Sequence, residues 1–258
     1  MKIFGFKRHI VPWLLPAFLL VLWQCATARA WVSPTALPSP AAVLTAFVRL
    51  CRSGELPQDL WESLKRALIG LALGGGLGFA FALMNGLSAW ANRLFDSSLQ
   101  MVRNIPHLAL IPLAILWFGV GESSKQFLII TGVFFPIYLN TLHGIRSLDP
   151  RLREMGRAYG LSRWESFRQI ILPGALPSIL IGLRFALGTM WLTLIVAETI
   201  SSDNGIGYMT MNAREFLQTD VVIVGILLYA LLGKLADWIA WGLERYLLRW
   251  NPAYHHSS

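Results

Sequence analysis

Four ionisable side chains stand within or at the ends of otherwise apolar runs: Arg103, His107, Arg184 and Glu198. A charge in hydrocarbon is costly, so such residues point to a translocation path, a proton relay or a buried pair. Arg103, His107 and Arg184 would form a weakly positive route for an anionic head group. Glu198 and Asp203 would close it, either shaping a gate or sitting in water. Simpler roles compete, with Arg103 snorkelling to an interface and Arg184 neutralised by a carbonyl or an acid. Lys234 and Asp237 are three apart, the spacing of an intrahelical pair. Covalent chemistry finds little support. Ser202-Asp203-Asn204 reproduces the S-D-N triplet of penicillin-binding enzymes, but no S-x-x-K or K-T-G accompanies it. Gly233-Lys234 is followed by Leu235 and lacks a glycine-rich loop, so it is not a phosphate-binding P-loop. There is no H-E-x-x-H, the tail pair His255-His256 reads as inert, and Cys25 and Cys51 make neither a disulfide framework nor a metal spacing.

The elements that must position these residues are apolar helices. Of 258 residues, 55% are hydrophobic and only 14% charged, with a mean hydropathy of +0.54. A soluble domain carries about 25% charged residues to clothe its surface, which excludes a soluble fold and equally a disordered chain. Six stretches are long and apolar enough to cross a bilayer: 11–29, 67–88, 99–119, 126–142, 174–197 and 221–243. The third carries Arg103, Pro106, His107 and Pro112, and the fourth is short with Pro136 inside. Placing both termini in the cytoplasm puts thirteen Lys and Arg inside and seven outside, the bias that sets topology. The net charge of +8 is therefore a topology signal and needs no nucleic acid. Lys2, Lys7 and Arg8 ahead of an apolar run and Ala28-Arg29-Ala30 also fit a cleaved secretory leader, which would leave five spans. Residues 30–66 are polar and proline-broken, with two short amphipathic stretches at 42–50 and 60–68 expected at the outer interface.

The loop at 147–173 is too polar to cross and too patterned to be floppy. Asp149-Pro150 is a helix start, with Asp as N-cap and Pro at the first helical position. The helix predicted for 150–159 ends at Gly160, the residue that tolerates a left-handed turn. Ser162-Arg163-Trp164-Glu165 then fits a capping box, and Pro173 is expected to stop the second helix. The product is a helical hairpin with exposed apolar faces and six arginines around them, which needs a groove or a lipid surface to cover it.

Here the residues resemble a family. Glu154-Met155-Gly156, then Gly160, then Ile170-Ile171-Leu172-Pro173 resembles the EAA loop of ABC-importer permeases: E-A-A, three residues, G, nine residues, I-x-L-P. Met155 and Gly156 depart from the two alanines. Residues 103–119, 182–187, 191–200, 205–208, 212–220 and the tail 248–254 are similar to the nitrate, sulfonate and taurine branch, the aliphatic sulfonate permeases above all. The resemblance implies an all-α polytopic membrane protein with about six transmembrane helices and a type I importer permease (MetI-like) core. It also implies a homodimer in the bacterial inner membrane, two ABC ATPase subunits that bind ATP and Mg, and an extracytoplasmic substrate-binding protein. In that picture Glu154, Ala158, Gly160, Ile170, Leu172 and Pro173 form the coupling element seated on the ATPase, and the chain itself holds no cofactor and no metal.

The chain divides accordingly into an N-terminal helix and extracytoplasmic segment (1–66), a permease core carrying the hairpin (67–243) and a cytoplasmic tail (244–258). The function expected is import of small organosulfonates by alternating access. Taurine or nitrate transport is the alternative within the family. Outside it stand a membrane-embedded enzyme using Arg184, Glu198 and His107, which would work without partners, and a passive channel, which would leak without ATP.

Overall fold

The computed structural model describes residues 3–33, 35–201 and 203–251, with side chains from residue 14 onward except that of Ser201. Lys2, Pro34, Ser202, the tail from 252 with His255-His256, and the side chains of Lys7 and Arg8 lie outside the described residues.

The described chain is helical. α1 (Ile3–Ala28) leads through a turn to α2 (Pro40–Ser53), which Ser39 caps by accepting from Ala42 N. Gly54, at φ +83°, turns the chain directly into α3 (Glu55–Leu87). The stretch 60–68 expected at the interface thus lies inside the first half of a 33-residue spanning helix. Without a proline or turn residue after Leu60, nothing in the sequence breaks the helix there. The segment boundary drawn at residue 66 falls inside it.

The third expected span is not one helix. α4 (Ala89–Val102) and α5 (Ile111–Phe118), joined by a 3-10 turn at His107–Leu110, meet at an angle of 82°. Pro106 lacks an N–H and disfavours helix at Ile105, and a second proline, Pro112, sits in the first turn of α5 where it is tolerated. Four helices are long and apolar enough to cross a membrane, or five if the bent pair is one span. Among the described residues these account for four or five of the six expected spans. The described apolar part of α1 is Leu14–Ala28, and the start of the span expected at 11–29 lies outside the described side chains.

α6 (Glu122–Arg146) packs against both α3 and α9 (Leu172–Ser201), and α11 (Thr219–Leu247) packs against α9, α10 (Ile206–Glu215) and α2. Glycines allow the closest approach. A Cβ on Gly74 would lie 2.6 Å from the Ile130 carbonyl oxygen, and one on Gly78 would lie 2.5 Å from that of Phe134. The four-residue glycine spacing of α3 is therefore a packing face, as small residues in membrane helices commonly are. Ile129, Val133, Ala186 and Leu194 fill the core between α6 and α9.

α7 (Pro150–Ala158) and α8 (Arg163–Ser166) form the hairpin. Pro173 does not stop the second helix. α8, a π turn at Phe167–Ile171 and α9 run on as one 38-residue helix, Arg163–Ile200. In the π turn Leu172 N–H donates to Phe167, five residues back. This wider turn takes up the room that the Pro173 ring needs against the preceding carbonyls.

Candidate functional site

Two constructions stand out, one at each end of the Arg163–Ile200 helix. At its beginning is the hairpin. Asp149 accepts from Arg151 N at 2.9 Å to start α7. Gly160 N–H donates to Arg157 and Leu161 N–H to Gly156, both at 3.0 Å, while Gly160 takes φ +72°. These are the two bonds of a Schellman ending, which requires a left-handed residue at that point. The capping box is complete: Ser162 N–H donates to Glu165 at 2.8 Å and Glu165 N–H to Ser162 Oγ at 3.2 Å. Ends built this way fix the angle between α7 and α8 without help from a partner.

Behind the turn, Gly156 is buried, and a Cβ there would lie 2.7 Å from Ile170 Cδ1. Arg153 donates to the Ile145 carbonyl at 2.6 Å, tying α7 to the end of α6. The front is open. Met155 and Trp164 are about half and two-thirds exposed, Tyr159 is 80% exposed, and Trp164 stacks on Phe167 with centroids 5.6 Å apart. Glu154, Ala158 and Gly160 lie on the surface, whereas Ile170, Leu172 and Pro173 are half-buried where the hairpin joins the bundle. A rigid apolar knob with acidic and basic side chains around it is the kind of surface that a complementary groove covers.

At the other end of the helix is a buried polar cluster. Arg66 reaches from α3 into the space between α6, α9 and the start of α10. Its Nε donates to Glu122 at 2.8 Å, its Nη1 to Glu198 at 2.8 Å and to the Asn204 carbonyl at 3.0 Å, and its Nη2 to Glu122 at 2.5 Å and to Asn204 Oδ1. All five N–H groups are thereby used. Ser63 Oγ lies 2.7 and 2.8 Å from the two oxygens of Glu198 and accepts from Ile206 N at 2.9 Å. Gly207 N–H donates to Glu198 and Gly205 N–H to Asp59. Gly205 stands at φ +107°, and a Cβ on it would lie 2.5 Å from Glu198 Oε1. Asp59, Ser63 and Arg66 repeat at the spacing of one helix face. That spacing was the signal available in the sequence. It is obscured there because Arg66 also reads as an ordinary flanking charge.

The four intramembrane candidates are not gathered into one place. No hydrogen bond or ion pair links any two of them among the described residues. Glu198, expected at a gate or in water, is enclosed in the polar cluster with its side chain fully covered. Arg103 is exposed at the end of α4. Arg184 lies 3.7 Å from Asp237 of α11, with both side chains half exposed. Asp237 thus pairs across helices, and the intrahelical pair expected with Lys234 is absent among the described residues. The reason is geometric: α9 brings the stiffer guanidinium fork to the same face.

His107, at the bend between α4 and α5, meets Thr193 of α9 through Nε2 at 2.9 Å. Thr193 donates its own proton to the Thr189 carbonyl at 2.8 Å. Its oxygen is therefore an acceptor for His107, and Nε2 carries the hydrogen. A Cβ on Gly132 would lie 2.9 Å from Thr193 Oγ1 and 3.3 Å from the imidazole, so α6 leaves this crossing just enough room. The residues grouped at these sites include no cluster of metal-ligating side chains among those described.

A polytopic helical bundle carrying a preformed, surface-facing hairpin has the architecture of a transporter's membrane subunit. The chain belongs to the binding-protein-dependent transport system inner membrane components, the permeases of ABC importers, which it matches over residues 73–248. It is 62% identical to the aliphatic sulfonates transport permease protein SsuC of Escherichia coli (strain K12), over 96% of this chain and 94% of that one. Identity to the SsuC protein of Bacillus subtilis (strain 168) is 46%, over 98% and 91%. Identity to the taurine transport system permease protein TauC of E. coli (strain K12) is 35%, over 91% and 87%. The chain is thus a multi-pass membrane protein of the sulfonate, taurine and nitrate branch. Among solved structures, an inward-facing form of the MetNI methionine ABC transporter superposes with a TM-score of 0.51 at 18% identity, covering 72% of this chain and 94% of that one. It shares the fold.

Proposed function

We propose that this chain is the membrane subunit of an ATP-driven importer for small organosulfonates, alkanesulfonates foremost. The observation that carries the substrate class is the 62% identity, sustained over 96% of the chain, to a permease named for aliphatic sulfonates. The subunit works as a homodimer with two ATPase subunits, which bind ATP and Mg, and an extracytoplasmic binding protein that delivers the substrate. It breaks no covalent bond itself.

The hairpin supports the coupling role. Its preformed turn presents Met155, Tyr159 and Trp164 outward, with Glu154 and Ala158 beside them for docking contacts. Ile170, Leu172 and Pro173 carry any displacement into α9. Closure of the ATPase dimer on ATP then moves the hairpins and rocks the spans between inward and outward states. Six arginines between 146 and 168 favour a cytoplasmic hairpin and cytoplasmic termini. Along the path, Arg184 is the candidate to meet a sulfonate. Its link to Asp237 is long and half exposed, the kind of pair that contributes little and exchanges readily. Arg103 and His107 flank the same route at the bend.

The test is uptake of a radiolabelled alkanesulfonate by cells that lack their own sulfonate importer and express this chain with its ATPase and binding protein. Uptake that requires ATP, competes poorly with taurine and nitrate, and is lost in Glu154→Ala or Gly160→Pro at normal membrane levels supports the reading. Normal uptake by both variants removes the coupling role. Preferential competition by taurine or nitrate moves the substrate to the alternative within the family.

A further inference from the structure

Between α1, α2 and α11, at the end of the bundle that carries the Arg66 cluster, lies a crevice of about 320 Å³. Its walls are almost wholly apolar. Leu20 comes from α1, Leu44 and Phe47 from α2, and Val224, Leu227 and Leu231 from α11. The α11 residues follow Asp220 by four, seven and eleven positions, so they sit about 6–17 Å further along the helix axis. Asp220 lies in the first turn of α11 and meets Arg49 of α2 at 3.7 Å. One turn further on α2, Arg52 is exposed and makes no ion pair among the described residues. Leu44 belongs both to the crevice and to a shallow shelf that it shares with Val48, Arg49 and Arg52. Trp23 donates to the Pro38 carbonyl at 3.0 Å, the placement of an indole where apolar and polar surroundings meet.

An apolar slot adjoining, through Leu44, a shelf that carries two arginines has the polarity of the boundary where a phospholipid's head group meets its chains, with room for part of one chain. The guanidinium fork suits a phosphodiester, and the slot suits the acyl chain beneath it. We infer that this crevice binds an anionic phospholipid, with its phosphate on Arg52 and Arg49 and one chain between α2 and α11. The negative charges nearby are Asp220, already held by Arg49, and Glu55 in the first turn of α3. Arg52 therefore sets the preference and Arg49 assists it. The site is independent of the transport reading, because it uses neither the hairpin nor the path.

The experiment takes the full chain with its ATPase in detergent and adds phosphatidylglycerol or phosphatidylcholine with identical chains. Bound lipid is read by native mass spectrometry and the melting temperature by tryptophan fluorescence. The wild type should retain phosphatidylglycerol several-fold better and melt higher with it. Arg52→Gln should reduce that preference, and the Arg49→Gln, Arg52→Gln double variant should abolish it. Leu227→Trp, which fills the slot at an exposed position, should lower retention of both lipids. Equal retention of the two lipids by the wild type, preference kept by the double variant, or unchanged retention in Leu227→Trp would each overturn the site.

Discussion

Arg66 and Glu198, 132 residues apart, meet through a 2.8 Å ion pair in which both side chains are essentially sealed, at 2% and 0% exposure. The pair joins α3 to the end of α9, and Glu122, Ser63 and Asn204 satisfy what remains of the two charged groups. Its strength as a fastening comes from that completeness, since removing one partner of a buried pair leaves the other charge uncompensated.

Arg66→Ala should therefore cost about 3–5 kcal/mol of stability, seen as a large drop in the melting temperature of the purified chain in detergent. Lys65→Ala, whose side chain is half exposed and, among the described residues, pairs only with Glu62, should change little, within about 1 kcal/mol. Equal effects from the two would mean that the cluster does not fasten the helices.

The α3–α6 contact gives a sharper comparison along one helix. Gly74→Ala drives a methyl group to 2.6 Å from a backbone carbonyl oxygen, which cannot step aside, while Gly76 has nothing within 4 Å of its Cβ position. Gly74→Ala should cost about 1–3 kcal/mol by overpacking. Gly76→Ala should be neutral or slightly stabilising. Melting temperatures of the two variants, measured side by side, decide it.

The hairpin separates conformation from packing. Gly160→Ala places a Cβ on a residue at φ +72° with open space around it, so its cost is the left-handed backbone alone, about 1–2 kcal/mol. Gly156→Ala meets the tip of Ile170 at 2.7 Å and that of Leu161 at 3.4 Å, both flexible side-chain ends that can rotate, and restores one alanine of the E-A-A pattern. Uptake should survive Gly156→Ala nearly intact and fall in Gly160→Ala. The reverse order would show that the turn is not what positions the docking face.

For His107, ¹⁵N spectra of selectively labelled protein should show the hydrogen on Nε2. Thr193→Val, which keeps the shape and removes the acceptor, should destabilise the bend by about 1–3 kcal/mol by leaving a half-buried N–H without its partner. A spectrum with the hydrogen on Nδ1 would reverse the direction assigned to this bond.

What was legible in the sequence follows the range of the interactions involved. The hairpin could be read to the residue because its signals are local: Asp149 and Pro150 start a helix, Gly160 turns it and Ser162 with Glu165 restarts it. Pro173 misled because a proline's lost hydrogen bond can be absorbed by a π turn, and a single sequence shows no sign of that. Residues 60–68 misled in the opposite way, since polar residues that face a buried partner resemble polar residues that face an interface. Arg66, Glu122 and Glu198 lie on three separate helices, so nothing in their spacing announces that they share one cluster. The acid that neutralises Arg184 is Asp237 on another helix, a partner that spacing could not name, and Lys234 offered Asp237 a nearer partner that the fold does not use.

The helix that begins at Arg163 and ends at Ile200 has a mechanical consequence. Its 38 residues make a rod about 57 Å long, with the exposed hairpin at one tip and Glu198 near the other. A tilt of about 5° around one tip displaces the opposite tip by about 5 Å at that length. The chain thus carries a lever arm whose far end is pinned by a sealed ion pair and whose near end is hinged by a single widened turn. A push on Trp164 has two outcomes available to it: it bends the hinge at 167–171 and stops there, or it arrives at the far side of the bilayer as leverage on the Arg66 anchor.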